Sequence, residues 1–422
     1  VSPPVVSPLK LSRVISVRGR LALAAGACAR WASRATGRGA GAMIGGLVAM
    51  TLDSSLLGQL GRGRSSVVIT GTNGKSTTTR MAAAALRELG AVATNAEGAN
   101  MDAGLIAALA ADRTAPLAAL EVDEMHVPHV SDAVDPAVVV LLNLSRDQLD
   151  RVGEINTIER ALRAGLARHP ATVVVANCDD VLVTSAAYDH PRVVWVAAGG
   201  SWSGDSVSCP RSGEVIVREQ EHWRSTGTDF ARPTPHWWFD ADTLYGPGGL
   251  RLPMRLALPG AVNRGNAAQA VAAAVTLGAD PAAAVAAAAT VDEVAGRYRT
   301  VTLGAHTVRV LLAKNPAGWQ EALSMIDPTA AGVVIAVNGQ VPDGVDLSWL
   351  WDVRFEHFEN TVVVAAGERG TDLAVRLGYA GVEHSLVHDT VRAIASCPPG
   401  RVEVIANYTA FLQLNRVLDR HG

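Results

Sequence analysis

At 422 residues the chain is long enough for two domains, each with its own core. A formal net charge of −3 leaves no basic footprint of nucleic-acid binding. Four widely spaced cysteines, Cys28, Cys178, Cys209 and Cys397, exclude a disulfide framework and a local metal cluster, and charge-free stretches such as residues 39–52 are too short to span a bilayer.

The opening carries scattered arginines through Arg38 and no signal-peptide layout, which predicts a cytoplasmic protein. Residues 1–38 read as a tail leading into a helix over RLALAAGACARWASRA, which the glycines of GRGAGAMIGG break. An apolar β-branched strand then runs into Gly71, Thr72, Asn73, Gly74, Lys75, Ser76 and Thr77, followed by a Thr-rich helix start. Strand, glycine turn, Lys-Ser and helix in this order make a phosphate cradle. Backbone amides and the helix N-terminus face the phosphates, Lys75 reaches the β/γ-phosphates, and the Ser76 hydroxyl ligates Mg²⁺. The strict P-loop pattern fails, because Ile69 stands where its first glycine belongs. Only three of the 37 basic residues are lysines, Lys10, Lys75 and Lys314. Where arginine is the default cation, a retained lysine points to a need for a compact ammonium.

Further along, MAAAALRELG predicts a helix closed by Gly90. APLAALEV predicts a strand leading to Glu121, Asp123 and Glu124, PAVVVLLNLS a buried strand ending near Asn143, and TVVVAN another. This βαβ rhythm predicts an α/β fold with a parallel sheet whose ligands sit at the strand carboxyl ends, where Gly71, Glu121 and Asn143 fall. Tryptophans, prolines and short polar alternations over residues 202–252 predict a small inserted β unit. A helix over LPGAVNRGNAAQAVAAAVTLG follows. A second α/β unit then carries the strands TVRVLLA, GVVIAVNG, TVVVAAG and VEVIAN. The expected division is a tail over 1–38, a central ATP-binding domain over 39–300 and a C-terminal domain over 301–422.

TGTNGKST, LEVDE, NLSRDQLDR, LPGAVNRGNAAQA and GRYR, in this order, resemble the ATP-dependent Mur ligases. VATNAEGANMDAGLIAAL, LLAKNPAGWQEAL, DLSWLWDVRFE, RLGYAGV and ANYTAFLQL are similar to the MurT branch of that family, and the resemblance runs from about residue 17 to 417. It implies a synthetase subunit of lipid II isoglutaminyl synthase, which amidates the D-glutamate α-carboxyl of the peptidoglycan stem peptide to D-isoglutamine. Ammonia would come from a GatD-type glutaminase subunit, and membrane contact would run through the lipid-linked substrate. The nucleotide-sugar domain of other Mur ligases would not fit before the cradle. The chemistry agrees: a carboxylate accepts ammonia only once activated, and ATP supplies a γ-phosphoryl group for an acyl phosphate. Two rivals remain, a stand-alone Mur or folylpolyglutamate-type amino-acid ligase and a nucleotide-binding subunit without catalysis.

The resemblance also assigns roles. Glu121 or Glu124 joins Ser76 at Mg²⁺. Asn263 and Asn266, which could instead be helix caps, lie near the nucleotide base. Arg297 contacts phosphate, and Lys314 is the second-domain cation. Asp147 and Gln148 stand where amide-forming relatives carry Asp-His, and no lysine between Lys75 and Lys314 can be carbamoylated. MurT proteins commonly carry two CxxC knuckles of a zinc ribbon in the insert. Here Cys209 survives, with Ser212, Ser225 and Thr228 at the other ligand positions. His222 and His236 do not complete a four-ligand set, so zinc is not expected. A metal-free relic packed by Trp223, Trp237 and Trp238 is expected instead. Asp352, with Asp346 in reserve, would orient the histidine of the glutaminase's Cys–His pair, with the aromatic residues from Trp349 to Trp351 at the interface. The chain shows no nucleophile–base pair of its own.

Overall fold

The computed structural model describes residues 15–35, 42–95, 99–146, 154–200, 202–292, 298–344, 346–356, 358 and 361–421. Two compact units divide the chain: residues 1–144 with 155–292, and residues 145–154 with 293–422.

The first unit is built on a nine-stranded sheet. Its strands are β1 (Ser65–Thr70), β2 (Val92–Thr94), β3 (Leu117–Glu121), β4 (Val138–Leu141), β5 (Val173–Asn177), β6 (Val193–Ala197), β9 (Trp237–Asp240), β10 (Thr243–Gly246) and β11 (Leu250–Pro253). Their order is β11-β10-β9-β6-β5-β4-β1-β3-β2, parallel except where β10 and β11 reverse. Strand β1 lies between β3 and β4, with Ile69 opposite Glu121 and Thr70 opposite Leu141. These strands read as unbroken apolar runs because both faces are covered. Val68, Leu120, Val139 and Val174 share one cluster with Leu56 and Leu60 of α3 (Leu56–Gly61), Leu105 of α5 (Asp102–Ala111), Val130 of α6 (Val127–Val134), Leu162 of α7 (Glu154–Ala167) and Leu182 of α8 (Val181–Ala187). Helix α4 (Lys75–Leu86) packs with α9 (Ala261–Thr276) and α10 (Pro281–Ala289).

Two features go beyond the sequence expectations. The run GRGAGAMIGG does follow the end of a helix, and its first three glycines lie outside the described residues, but its last two sit inside a second helix. After α1 (Val17–Ala35), α2 (Ala42–Leu52) runs straight through Gly45 and Gly46. A Cβ on Gly45 would sit 2.8 Å from the Gly26 carbonyl oxygen of α1, and one on Gly46 would sit 1.9 Å from that of Ala103 in α5. The glycines are there for backbone-to-backbone packing, which a breaker reading misses. The strands of the inserted β segment divide between a hairpin and the main sheet. Only β7 (Ile216–Glu219) and β8 (His222–Ser225) form an independent hairpin, while β9 to β11 extend the main sheet from β6.

The second unit has six strands, β12 (Tyr298–Leu303), β13 (His306–Leu312), β14 (Gly332–Ala336), β15 (Val363–Ala366), β16 (His384–Leu386) and β17 (Gly400–Ala406). Their order is β12-β13-β17-β14-β15-β16, and only β12 is antiparallel to its neighbour. Alternate residues feed two cores. Val333, Ile335 and Val363 pack with Trp319 of α11 (Pro316–Ser324) and Leu373 of α12 (Gly370–Tyr379). Val334, Val364 and Val404 pack with Ile394 of α13 (Thr390–Ser396) and Phe411 of α14 (Tyr408–His421).

Candidate functional site

Strand β1 delivers the chain into the turn Gly71–Gly74, and Gly74, at φ 85°, is the N-cap of α4. No side chain caps this helix, so its first-turn amides are available to an anion. The turn is clasped from β4. Thr72 N donates to the Asn143 carbonyl at 2.9 Å and Asn73 N to Asn143 Oδ1 at 2.9 Å, while Asn143 Nδ2 donates to the Asn73 carbonyl at 3.0 Å. The glycines are needed sterically. A Cβ on Gly71, at φ 140°, would meet Leu142 at 2.8 Å, and one on Gly74 would meet Asn266 Oδ1 at 2.7 Å. The turn therefore keeps this shape only with glycine at both positions.

Lys75 is buried, and its ammonium closes the turn. It donates to the Gly71 carbonyl at 2.5 Å and the Thr72 carbonyl at 3.2 Å, and it pairs with Glu124 at 3.3 Å. Glu124 opens a short 3₁₀ turn after β3, capped by Asp123. Glu121 is buried at the carboxyl end of β3, and Asn95 holds its backbone: Glu121 N donates to Asn95 Oδ1 and Asn95 Nδ2 to the Glu121 carbonyl, both at 2.8 Å. Of the two candidate carboxylates, Glu124 is thus the one in contact with Lys75.

Helix α9 is capped by Gly260, so neither Asn263 nor Asn266 is a cap. Both are buried. Asn263 Nδ2 donates to the Pro259 carbonyl at 2.6 Å, and Asn266 abuts Gly74 of the cradle. Gln269, one turn on, donates to the Leu141 carbonyl at 2.9 Å and ties α9 to β4. Asp147, Gln148 and Arg297 lie outside the described residues.

In the second unit Lys314 follows β13, with its ammonium 5.1 Å from the centre of the Tyr408 ring. Asn315 caps α11, accepting from Gly318 N at 2.8 Å. Asn338 and Asn407, at the ends of β14 and β17, are cross-linked: Asn338 N donates to Asn407 Oδ1 at 3.0 Å and Asn407 Nδ2 to the Asn338 carbonyl at 2.7 Å. The sequence signal for these pairs is a polar full stop on an apolar run. LLN, VAN, AVN and IAN end at Asn143, Asn177, Asn338 and Asn407.

The two aspartates around SWLW differ in kind. Asp346 accepts Ser348 N at 2.8 Å, and that backbone bond, with the Ser348 hydroxyl, holds its carboxyl below the usual carboxylate range. Asp352 makes no such cap and lies 3.7 Å from Arg146, also of the second unit. The expected aromatic face is only half present. Trp349 is buried and stacks on Trp319, whereas Trp351 is exposed, edge-on to Tyr379 with the Arg376 guanidinium over its ring.

In the insert, Cys209 is buried with Ile216, Trp223 and Phe230. Burial pushes its thiol up, but the Ser212 and Ser225 hydroxyls and the amides of Arg211 and Ser212 outweigh it and hold the thiol below its ordinary value. Ser212 and Ser225, two of the three positions that the resemblance aligns with lost zinc ligands, thus face this sulfur. Of the three expected tryptophans only Trp223 packs there. Trp237 is buried in the main sheet, and Trp238 stacks on Tyr245. Among the described residues no three His, Cys, Asp or Glu side chains are placed to hold a metal. A cavity of about 580 Å³ opens beside this hairpin, lined by Asp179, Arg218, Arg232 and Trp238 and not by the cradle.

The family model of the Mur ligase middle domain matches residues 69–274, and that of the MurT ligase C-terminal domain matches residues 312–411. The chain is 27% identical to the lipid II isoglutaminyl synthase (glutamine-hydrolyzing) subunit MurT of Streptococcus pneumoniae, over 96% of this chain and 98% of that one. It is 28% identical to the subunit of the same description in Staphylococcus aureus strain COL, over 93% and 96%. Among solved structures, a pseudomurein peptide ligase type C from Methanothermus fervidus superposes with a TM-score of 0.67 at 17% identity, over 85% of this chain and 79% of that one. The Mycobacterium tuberculosis folylpolyglutamate synthase gives 0.56 at 18%, over 86% and 94%. At these identities the two structures speak for the fold alone.

Proposed function

Because the chain belongs to the MurT branch of the Mur ligase family, we propose that it is the synthetase subunit of a glutamine-dependent lipid II isoglutaminyl synthase. The observation that carries the reading is the clasped glycine turn with Lys75 buried at its mouth, in a chain similar to MurT subunits over nearly its full length. Bound ATP supplies the phosphoryl group that activates the D-glutamate α-carboxyl as an acyl phosphate. The chain's own part is positioning and charge. Lys75 exchanges Glu124 for phosphate oxygens, and the first-turn amides of α4 hold the same anion. Ser76 with Glu121 or Glu124 holds Mg²⁺, Asn263 and Asn266 bound the base, Arg297 contacts phosphate, and Lys314 is the second cation.

Ammonia comes from a GatD-type partner. Asp352 serves that partner by orienting the histidine of its Cys–His pair, since Asp346 is already engaged in capping the Ser348 turn. The test uses the complex with its glutaminase and a lipid II substrate. Asp352→Asn should cut glutamine-driven amidation by about 10²-fold or more, as an orienting carboxylate does, and leave ammonia-driven amidation near normal. If both rates fall together, Asp352 belongs to the ligase site or the fold. Addition of amino acids in place of ammonia would make the chain a stand-alone ligase.

A further inference from the structure

We propose that the α1–α2 hairpin docks the protein on an anionic lipid surface. Helix α1 turns Ala22, Leu23 and Gly26 inward, and Gly26 meets Gly45 of α2 so closely that a Cβ would lie 2.5 Å from the Gly45 carbonyl oxygen. The opposite stripe, Val17, Leu21, Ala24, Cys28, Trp31 and Ala35, follows the heptad spacing of an apolar seam and is exposed along its length. Val17 is 75% exposed, Leu21 67% and Trp31 73%. Helix α2 adds Met43, Ile44 and Leu47 to the exposed apolar surface and carries no charged residue. Large side chains on the outer face of a helix already packed on its inner face call for an occupant.

Charge selects the occupant. The first acidic residue of the chain is Asp53, and it is buried. Before it stand Lys10, Arg13, Arg18, Arg20, Arg30, Arg34 and Arg38, in a chain whose net charge is −3. Arg18 and Arg20 flank the apolar stripe on either side. A second copy laid on this face would bring arginines against arginines. A bilayer with anionic headgroups instead offers apolar depth to the stripe, an interfacial level to Trp31 and counter-charge to the arginines. No helix among the described residues is long and apolar enough to cross a membrane, so the contact lies in the plane of the interface. The inference goes beyond the proposed activity and does not depend on it, because binding is measured without nucleotide or substrate.

The test is sedimentation of the full chain with vesicles of phosphatidylglycerol and phosphatidylcholine, and with phosphatidylcholine alone. Binding should need phosphatidylglycerol and weaken with salt. Leu21→Glu with Trp31→Glu should lower it roughly tenfold or more. Arg20→Gln with Arg30→Gln should lower it by about fivefold per charge at low salt. Thermal melting of the Leu21→Glu with Trp31→Glu variant should match the parent, since both side chains are exposed. Absence of binding to the mixed vesicles, or binding that both variants retain, would overturn the proposal. So would a dimer, or a complex with the glutaminase, that Leu21→Glu with Trp31→Glu disperses while vesicle binding is unchanged.

Discussion

At the scale of single residues, the site turns on Lys75. Its ammonium holds two carbonyls of its own turn and a buried glutamate, so it organises the turn as well as presenting charge. Lys75→Ala should abolish ATP-dependent amidation, a loss on the order of 3–4 kcal/mol or more of transition-state stabilisation. It should also leave Glu124 buried without its cation, at a cost to stability of roughly 3–5 kcal/mol. The double variant Lys75→Ala with Glu124→Gln should regain most of that stability and none of the activity. Turnover assays and denaturant melts on the same preparations separate the two effects. Near-normal turnover in the single variant would remove Lys75 from the mechanism. Sequence spacing is enough to pick out Lys75, since a lysine after a glycine turn is a local pattern. Asn95, Gln269 and the clasp of Asn143 on the turn escape it, because each joins segments that are 26, 128 and 70 residues apart. Asp346 and Asp352 look alike in sequence and separate only once the Ser348 amide is seen to occupy one of them.

At the scale of elements, the parallel strands were the legible part, since burial on both faces leaves runs such as VVVLL and GVVIA that little else explains. Helix α2 was not legible, because Gly45 and Gly46 weigh against a helix by propensity and the reason for them lies in α1 and α5. Nor was the role of β9 to β11, whose Trp-rich alternation looks like a separate unit until the pairing of β6 with β9 is known. The packing gives a direct test. Gly46→Val places its Cβ within 1.9 Å of the Ala103 carbonyl oxygen, so α2 must shift off α5. Destabilisation of roughly 1–3 kcal/mol is expected, read as a fall in melting temperature of about 2–4 °C per kcal/mol for a domain of this size. Gly104→Val, in α5 against the Ala99 carbonyl oxygen, would instead strain the segment that leads into α5 and leave the α2–α5 contact untouched. An unchanged melt for Gly46→Val would mean that the hairpin is not seated as described.

At the scale of the whole molecule, the metal content is the clearest measurement. The resemblance puts Ser212, Ser225 and Thr228 at three of the four ligand positions of a zinc ribbon, so the purified protein should carry no stoichiometric zinc by elemental analysis. About one zinc per chain would send the search to ligands outside the ribbon. Around Cys209 the hairpin packs on a small apolar core of Ile216, Trp223 and Phe230. Charge has a whole-molecule consequence too. The Lys75 ammonium, which the proposed reading gives to phosphate, is already paired at 3.3 Å with Glu124, inside a chain of net charge −3. An approaching polyanion feels little of that ammonium from a distance. On the proposed reading, nucleotide capture should therefore show little long-range steering and little response to ionic strength. On that reading, selectivity would fall on the step at contact, when the glutamate lets go.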